Sequence, residues 1–236
     1  MADQAAFRPV KAGNTFEQTV ERLAQAIKLG VVARGDRLPA ERELAERLNV
    51  SRVTLREAIK ALQQAGYVES RRGRAGGTFV LYDTSQRKAG NAKRVARSMG
   101  DVLHDTLDFR RVVEPGAAEL VAGRSLTSED RKRLLACHEA VRTSTNATHR
   151  VADSRLHMLI GELSGSPSVA AAVTDVQVKL DELLRAIPVL SRNIEHSNAQ
   201  HAAVVEAILA GDPRGARTAM AEHVEATSAL LRGFLA

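Results

Sequence analysis

The chain has 236 residues, of which 44% are hydrophobic, 26% are charged and only 3% are aromatic. A chain of this length can bury a core, and the scarcity of aromatic residues favours helices over strands. The single cysteine, Cys137, excludes an internal disulfide, no apolar run approaches the ~20 residues of a membrane span, and the first residues lack the apolar stretch of a secretory signal. These features predict a mainly helical cytoplasmic protein with no membrane partner.

The net charge of +6 is unevenly distributed along the chain. Residues 1–100 carry 19 Lys and Arg against 10 Asp and Glu, whereas the rest of the chain carries 15 against 18. A basic N-terminal part suits a polyanion, and the mildly acidic remainder suits a different ligand. The charge distribution therefore predicts two domains with separate functions.

Three short helices are predicted in the N-terminal part. Thr15 can cap the first, which has apolar residues at helical spacing up to Ile27. The next two are joined by a tight turn at 49–50, and Ser51 is placed to cap the third. In that third helix one face is apolar, while a different face carries basic residues at i, i+4 spacing beside Thr54: Arg52, Arg56 and Lys60. Such a helix suits the major groove of DNA.

A basic hairpin follows the third helix. Residues 67–70 and 78–80 resemble strands, and the glycine-rich stretch 71–77 between them contains three arginines. The combination of two reading helices and a basic hairpin predicts a winged helix-turn-helix.

Three segments of the N-terminal part carry a family resemblance: 38–45, 50–58 and 66–68. Together with the glycine-rich wing that follows, they resemble the DNA-binding domain of the GntR family of bacterial transcription regulators, over roughly residues 13–81. This resemblance implies a bacterial cytoplasmic protein that binds double-stranded operator DNA. Carried over by position, the residues that touch DNA are Arg42, Arg52, Thr54, Arg56, Arg72 and Gly73.

Residues 82–98 are polar and basic, which predicts an interdomain linker that becomes helical near Asn91. Its cations are either solvated or in contact with DNA phosphates: Arg87, Lys88, Lys93, Arg94 and Arg97. The predicted domains are therefore 1–81 for DNA binding, 82–98 as the linker, and 99–236 for an effector and metal.

Helical periodicity continues through the remainder of the chain. It predicts an all-α bundle of about six helices, at about 101–123 with an interruption at Pro115, and at about 128–143, 149–164, 168–188, 192–210 and 213–234. Thr127 and Asp212 are predicted N-caps, and Gly165 and Gly211 are predicted helix stops.

Four residues of the predicted bundle suit a metal ion. Asp153 and His157 stand four apart on one helix face, and His201 and His223 lie on later helices that can bring them level. One carboxylate and three imidazoles suit Zn²⁺ first, with Ni²⁺, Mn²⁺ and Fe²⁺ as alternatives. Taken alone, an Asp-His pair at this spacing is more often a surface pair. The other histidines fit no ligand position: His104, His138, His149 and His196.

The order and spacing of these residues resemble the FCD ligand-binding domain of the FadR subfamily, over roughly residues 103–232. The resemblance implies that Asp153, His157, His201 and His223 hold a divalent metal. It also implies that Arg110, in a segment similar to the family's first bundle helix, binds the carboxylate of a small effector. The alternative for Arg110 is a structural ion pair with Glu114 or an aspartate.

The function implied by the resemblance is an effector-responsive regulator, by default a repressor, that binds a palindromic operator as a homodimer. A metal-free regulator, a metal-sensing regulator and a metalloenzyme joined to a DNA-binding domain are the alternatives. The sequence shows no nucleophile–base pair and no glycine-rich phosphate loop, so we expect no enzyme. No residue selects among small carboxylates such as lactate, pyruvate, citrate and sugar acids.

Overall fold

The structure, a computed structural model, describes residues 13–28, 30–73, 76–82 and 90–235. Its elements in chain order are α1 (Thr15–Lys28), α2 (Glu41–Leu48), α3 (Arg52–Gln64), β1 (Val68–Arg71), β2 (Gly77–Val80), α4 (Gly90–Ala122), α5 (Ser128–Arg142), α6 (His149–Leu163), α7 (Pro167–Arg185), α8 (Ser191–Ala210) and α9 (Pro213–Leu235). The predicted fold class is confirmed, with one hairpin among helices and six helices from α4 onward. Two compact units form, Met1–Leu103 with Thr227–Ala236, and His104–Ala226.

The first three helices pack around a core of aliphatic side chains with no exposed surface: Val20, Leu23, Ile27, Leu44, Leu48, Leu55 and Leu62. The turn between α2 and α3 passes through Asn49, whose φ of 53° is left-handed and whose N–H caps the end of α2. Ser51 then begins the next helix, because its Oγ accepts from the Thr54 N–H at 3.0 Å. The predicted cap of the reading helix is confirmed.

The hairpin pairs β1 and β2 in antiparallel register, with Val68 opposite Val80. Residues 35–38 run beside β2 and extend this sheet: the Leu38 N–H donates to the Thr78 carbonyl at 2.8 Å, and the Val80 N–H to the Asp36 carbonyl at 2.9 Å. This pairing fixes the hairpin against the start of the helix-turn-helix.

The C-terminal part of α9, from Thr227 onward, belongs to the N-terminal unit. The Tyr67 hydroxyl donates to the Phe234 carbonyl at 3.0 Å, and the Tyr67 ring stacks on Tyr82 with centroids 4.7 Å apart. Arg232 Nε donates to Glu21 Oε1 at 2.8 Å. The C-terminal end of the chain therefore completes the packing of α1 and the hairpin, which no local sequence pattern indicates.

The second unit has one apolar core, to which α4 contributes Ala117, Ala118 and Val121. The predicted interruption at Pro115 is wrong, since α4 runs through it from Gly90 to Ala122. Proline removes one helical hydrogen bond, but burial of the next turns in the core keeps the backbone helical.

Most helix ends in this unit follow local signals. Thr127 caps α5 by accepting from the Asp130 N–H at 3.1 Å, and Asp212 caps α9 by accepting from the Gly215 N–H at 3.0 Å. Gly165 and Gly211 follow α6 and α8 as predicted. Among the described helices, none combines the length and apolar character that a bilayer span requires.

The cap at Ser51 gives a test of the fold. Replacing Ser51 with Ala should lower the free energy of unfolding of the N-terminal unit by ~1 kcal/mol, because the Thr54 N–H loses its acceptor. Urea unfolding followed by circular dichroism measures the change. Ser51→Asn restores an acceptor and should stay near the wild type, so equal losses in both variants would contradict the capping role.

Candidate functional site

The six residues assigned to DNA by resemblance all lie in the N-terminal unit. Arg42 is in α2, three others are in the first turns of α3, and the last two directly follow β1: Arg52, Thr54, Arg56, Arg72 and Gly73. Arg42, Arg52, Arg56 and Arg72 are exposed, and Thr54 is half-buried. The structure thus places every one of these positions on the reading helices or at the wing.

Two of these arginines make ion pairs that hold them on the surface. Arg56 Nε donates to Glu41 Oε2 at 2.7 Å, which links α3 to the start of α2. The Arg42 side chain is 81% exposed and lies 4.0 Å from Glu46. Exposed pairs of this kind contribute only ~0–1 kcal/mol, so a DNA phosphate can replace either carboxylate at little cost.

The arginines of the wing differ in their contacts and in their exposure. Arg71 lies over the Phe79 ring, 4.4 Å from the centroid, and pairs with Glu69, so it is engaged within the hairpin. Arg72 remains exposed, and Gly73 has a φ of +103°, a conformation that a side chain would strain. Arg74 and the linker residues Arg87 and Lys88 lie outside the described residues, as do the side chains of Lys93, Arg94 and Arg97.

Val53 is a further candidate that the sequence analysis did not single out. It lies between Arg52 and Thr54 at the start of α3, and its side chain is 67% exposed. An exposed apolar side chain at this place on a reading helix suits the methyl group of thymine. The sequence contains a signal for this exposure, because Val53 does not fall on the apolar face of α3.

The four predicted metal ligands come together inside the second unit. Asp153 and His157 are on α6, His201 is on α8 and His223 is on α9, and one donor atom from each lies within 4.8 Å of all the others. His157 Nε2 is 3.1 Å from His223 Nε2 and 3.3 Å from His201 Nε2. Asp153 Oδ1 is 3.3 Å from His201 Nε2.

This geometry fits one metal ion. Donors bound at about 2.0–2.1 Å to a single ion lie roughly 2.9–3.4 Å apart at tetrahedral or octahedral angles. Three converging imidazole nitrogens cannot all be satisfied by protons shared among them, whereas a cation satisfies every lone pair. The three imidazoles are 1–2% exposed. Burial lowers the pKa of His201 to about 3 and that of His223 well below its usual range, so both are neutral ligands near pH 7.

A second carboxylate, Glu114, orients this group. Its Oε2 lies 2.9 Å from His157 Nδ1 and accepts from Arg110 Nε at 3.0 Å. Its Oε1 accepts from Gln177 Nε2 at 2.5 Å. Burial opposes the charge on Glu114, but the Arg110 guanidinium and the His157 imidazole outweigh burial and lower its pKa to about 2. A carboxylate behind a ligating imidazole fixes its orientation, here with Nε2 toward the other histidines.

The surroundings of Arg110 bear on both alternatives of the sequence analysis, a structural ion pair and a ligand contact. It is 1% exposed and paired with Glu114, as in the structural alternative. Its Nη1 is nevertheless buried and has no hydrogen-bond partner among the described residues. Arg110 therefore retains a donor for a ligand.

Glu114 and Gln177 are the polar residues of this site that the sequence analysis did not assign to it. Gln177 sits on the buried face of α7, at helical spacing from Val173 and Leu180, which are both 1% exposed. A polar residue within an apolar face was the available signal. Of the remaining histidines, His104 is exposed, and His149 is buried with its Nδ1 3.0 Å from Ser144 Oγ.

Comparison with known proteins identifies both parts of the chain. The family model described as bacterial regulatory proteins, gntR family, matches residues 15–80, and the FCD domain model matches residues 105–226. The chain belongs to the GntR family and carries an FCD domain. It is thus a DNA-binding transcription regulator with an effector domain, and its domains are those of regulators rather than enzymes.

Relatives of this GntR protein match along most of its length. The HTH-type transcriptional repressor NanR of Enterobacter sp. (strain 638) is 31% identical over 236 residues, which cover 96% of this chain and 89% of NanR. A candidate L-lactate dehydrogenase operon regulatory protein of Escherichia coli (strain K12) is 32% identical over 230 residues, covering 92% and 86%. The solved structure of Streptococcus agalactiae GntR is 26% identical, covers 90% of this chain and 98% of its own, and has a TM-score of 0.48.

The convergence of the imidazoles predicts the response to metal. Full-length protein should bind about one Zn²⁺ per chain, and saturation at a hundredfold excess over the dissociation constant should add ~2.7 kcal/mol of apparent stability. His201→Ala should lose most of this stabilisation, because one of three imidazole donors is gone. Metal analysis and thermal unfolding after chelation and Zn²⁺ addition measure both quantities.

The matched control is His104→Ala, an exposed histidine of the same unit. It should bind Zn²⁺ as the wild type does. A His201→Ala protein that retained full stoichiometry and stabilisation would remove this histidine from the metal site.

Proposed function

We propose that this GntR-family protein is an effector-responsive repressor that binds a palindromic operator as a homodimer in the bacterial cytoplasm. Residues 1–81 would read DNA, 82–98 would link the domains, and 99–236 would bind a metal and a small carboxylate. The name of the relative NanR, a repressor, supports the direction of regulation. Two-fold symmetry of a dimer matches two reading helices to two half-sites of a palindrome.

In the DNA-binding part, Arg52, Thr54 and Arg56 would contact base edges and phosphates from α3. Arg42 and the wing residues Arg72 and Gly73 would contact the flanking backbone. Exposure of the four arginines supports these roles, since none is buried by packing against the rest of the unit. Guanidinium groups suit both guanine edges and phosphates.

In the effector domain, Asp153, His157, His201 and His223 would hold a divalent transition metal, with Zn²⁺ the first candidate. The observation that carries this proposal is the approach of the buried His157 Nε2 atom to 3.1 Å from His223 Nε2 and to 3.3 Å from His201 Nε2. The ion would offer open positions to a carboxylate, and Arg110 Nη1 would bind the same effector. The Escherichia coli relative, named for an L-lactate dehydrogenase operon, supports a small carboxylate as the kind of effector.

Arg52 tests the DNA-binding assignment. Duplexes selected from a random pool by the full-length protein should converge on a two-fold symmetric sequence. Arg52→Ala should weaken binding to that duplex by about 1–3 kcal/mol, roughly 5- to 150-fold, because a charged donor to the DNA is lost. Fluorescence anisotropy at fixed salt measures the affinities, because phosphate contacts make them salt-dependent.

Arg142→Ala is the matched control, an exposed arginine in α5 that pairs with Glu139. It should bind the selected duplex like the wild type. Enrichment of sequences without two-fold symmetry would reject the palindromic dimer, while an unaffected Arg52→Ala protein would reject the role of Arg52.

Arg110 tests the effector assignment. Arg110→Met should weaken carboxylate binding to the Zn²⁺-loaded protein by about 10- to 150-fold, since a hydrogen bond to a charged group contributes ~1.5–3 kcal/mol. Because the single change leaves Glu114 without its main cation, the double variant Arg110→Met/Glu114→Gln removes both charges. Glu114→Gln alone is its reference and separates the loss of the His157 partner from the loss of the guanidinium. Calorimetry with a panel of small carboxylates measures the loss.

Arg124→Met is the control, since Arg124 donates to the Ser164 carbonyl at the surface of the same unit. It should bind carboxylates normally.

Release of the selected operator by a carboxylate in the wild type, but not in the double variant, is the expected regulatory result. By linkage, operator DNA must change carboxylate affinity by the same factor. Full carboxylate affinity in the double variant would exclude Arg110 from the effector site.

A further inference from the structure

Three buried polar atoms on α4 and α7 have no hydrogen-bond partner among the described residues: Arg110 Nη1, Gln177 Oε1 and Thr106 Oγ1. Their side chains are only 1–2% exposed. Leaving a buried donor or acceptor unpaired destabilises the folded state, and native proteins rarely retain such atoms without a reason. A group of them indicates a polar ligand.

Two relationships, a shared carboxylate and a shared helix face, bring these three side chains together as a cluster. Arg110 and Gln177 bind the two oxygens of the same Glu114 carboxylate, at 3.0 Å and 2.5 Å. Thr106 precedes Arg110 by four residues on α4, so the two side chains leave the same helix face with Cβ atoms about 5–6 Å apart. A ligand that reaches Arg110 is therefore within reach of Gln177 and Thr106.

The chemistry of Glu114 fixes which end of the Gln177 amide is unpaired. Glu114 is paired with the permanently charged Arg110 guanidinium, so its oxygens only accept hydrogen bonds. Gln177 must direct its NH₂ group at Glu114, which leaves Oε1 as an acceptor without a donor. Thr106 Oγ1 can both donate and accept. The cluster thus requires a ligand group that donates to Gln177 and pairs with a hydroxyl.

We propose that Gln177 and Thr106 bind a hydroxyl group of the effector, so that the site selects hydroxy carboxylates over keto, amino and unsubstituted acids of the same size. The proposal rests on the proposed function of this site as a carboxylate sensor. The carboxylate pairs with Arg110 Nη1, while the hydroxyl donates to Gln177 Oε1 and accepts from Thr106 Oγ1.

Keto, unsubstituted and amino acids would each make a less favourable set of contacts with these side chains than a hydroxy acid. A keto oxygen only accepts, and it would face the lone pairs of Gln177 Oε1. An unsubstituted acid leaves Gln177 and Thr106 unpaired, which is the situation in which sites built for a hydroxyl discriminate most strongly. An ammonium group would bring a second positive charge to the buried Arg110 guanidinium.

The test is calorimetry on the full-length, Zn²⁺-loaded protein with matched acids. The sets are glycolate, glyoxylate, glycine and acetate; lactate, pyruvate, alanine and propionate; and gluconate with hexanoate. A bound metal can itself favour a hydroxyl, so the wild-type preference alone does not assign it to these side chains. The diagnostic quantity is the change in the ratio of hydroxy-acid to unsubstituted-acid affinity on mutation, which isolates the pairwise interaction.

The variants are Thr106→Val, which has the same shape without the hydroxyl, and Gln177→Met. The hydroxy acid of at least one set should bind the wild type about tenfold or more tightly than its unsubstituted analogue, and each variant should reduce that ratio severalfold. In the Thr106→Val protein, binding of the unsubstituted acid should change little, which separates this effect from a loss of folding. Thr106→Ser retains the hydroxyl and should retain the ratio.

Thr174→Val is the matched control, since Thr174 is an exposed residue of α7 whose hydroxyl donates to the Ala170 carbonyl at 2.8 Å. Equal binding of hydroxy and unsubstituted acids, or an unchanged ratio in both variants, overturns this proposal and leaves the carboxylate site standing. Equal binding or an unchanged ratio is also expected if only water occupies the cluster. If no carboxylate binds the Zn²⁺-loaded protein, the proposed effector function falls together with this inference.

Discussion

The polar interior of the effector unit depends on the carboxylate of Glu114. One of its oxygens lies between the Arg110 guanidinium and the His157 imidazole, and the other accepts from Gln177. A buried charge is tolerated only when it is paired and its remaining hydrogen-bonding positions are filled. Because Glu114 meets three partners on three helices, it stabilises the guanidinium in an apolar bundle and sets the orientation of His157 in the same place.

This arrangement joins two chemically different halves of one site. On one side, three imidazoles and the Asp153 carboxylate converge as donors suited to a cation. On the other, Arg110 presents a donor suited to an anion. In the proposed function, an anionic ligand bound between the metal ion and the guanidinium would be stabilised from both ends. A neutral molecule of the same size would receive neither interaction, so charge is the first criterion by which such a site discriminates.

Much of the fold follows from local sequence signals. Ser51, Thr127 and Asp212 determine where helices begin, because each supplies an acceptor to an amide a few residues away. The expected helix interruption at Pro115 was wrong because burial of the following turns outweighs the local effect of proline on the helix. The pairing of residues 35–38 with β2 joins segments about forty residues apart, and no pattern within either segment specifies it.

The site could be predicted only in part, for a related reason. The spacing of Asp153 and His157 places them on one helix face, but their approach to His201 and His223 depends on how three helices pack. Only the family resemblance brought these four together in advance. The contacts of Glu114 and Gln177 depend on the packing of α4 against α7, so single-chain periodicity shows that Gln177 is buried but not what it meets.

The contact of the end of α9 with the rest of the N-terminal unit has a practical consequence. A fragment cut in the 82–98 segment would keep every residue of the helix-turn-helix, yet Tyr67 would lose the Phe234 carbonyl and Glu21 would lose Arg232. Such a fragment would expose aromatic surface that is packed in the intact chain and would behave as an incomplete domain.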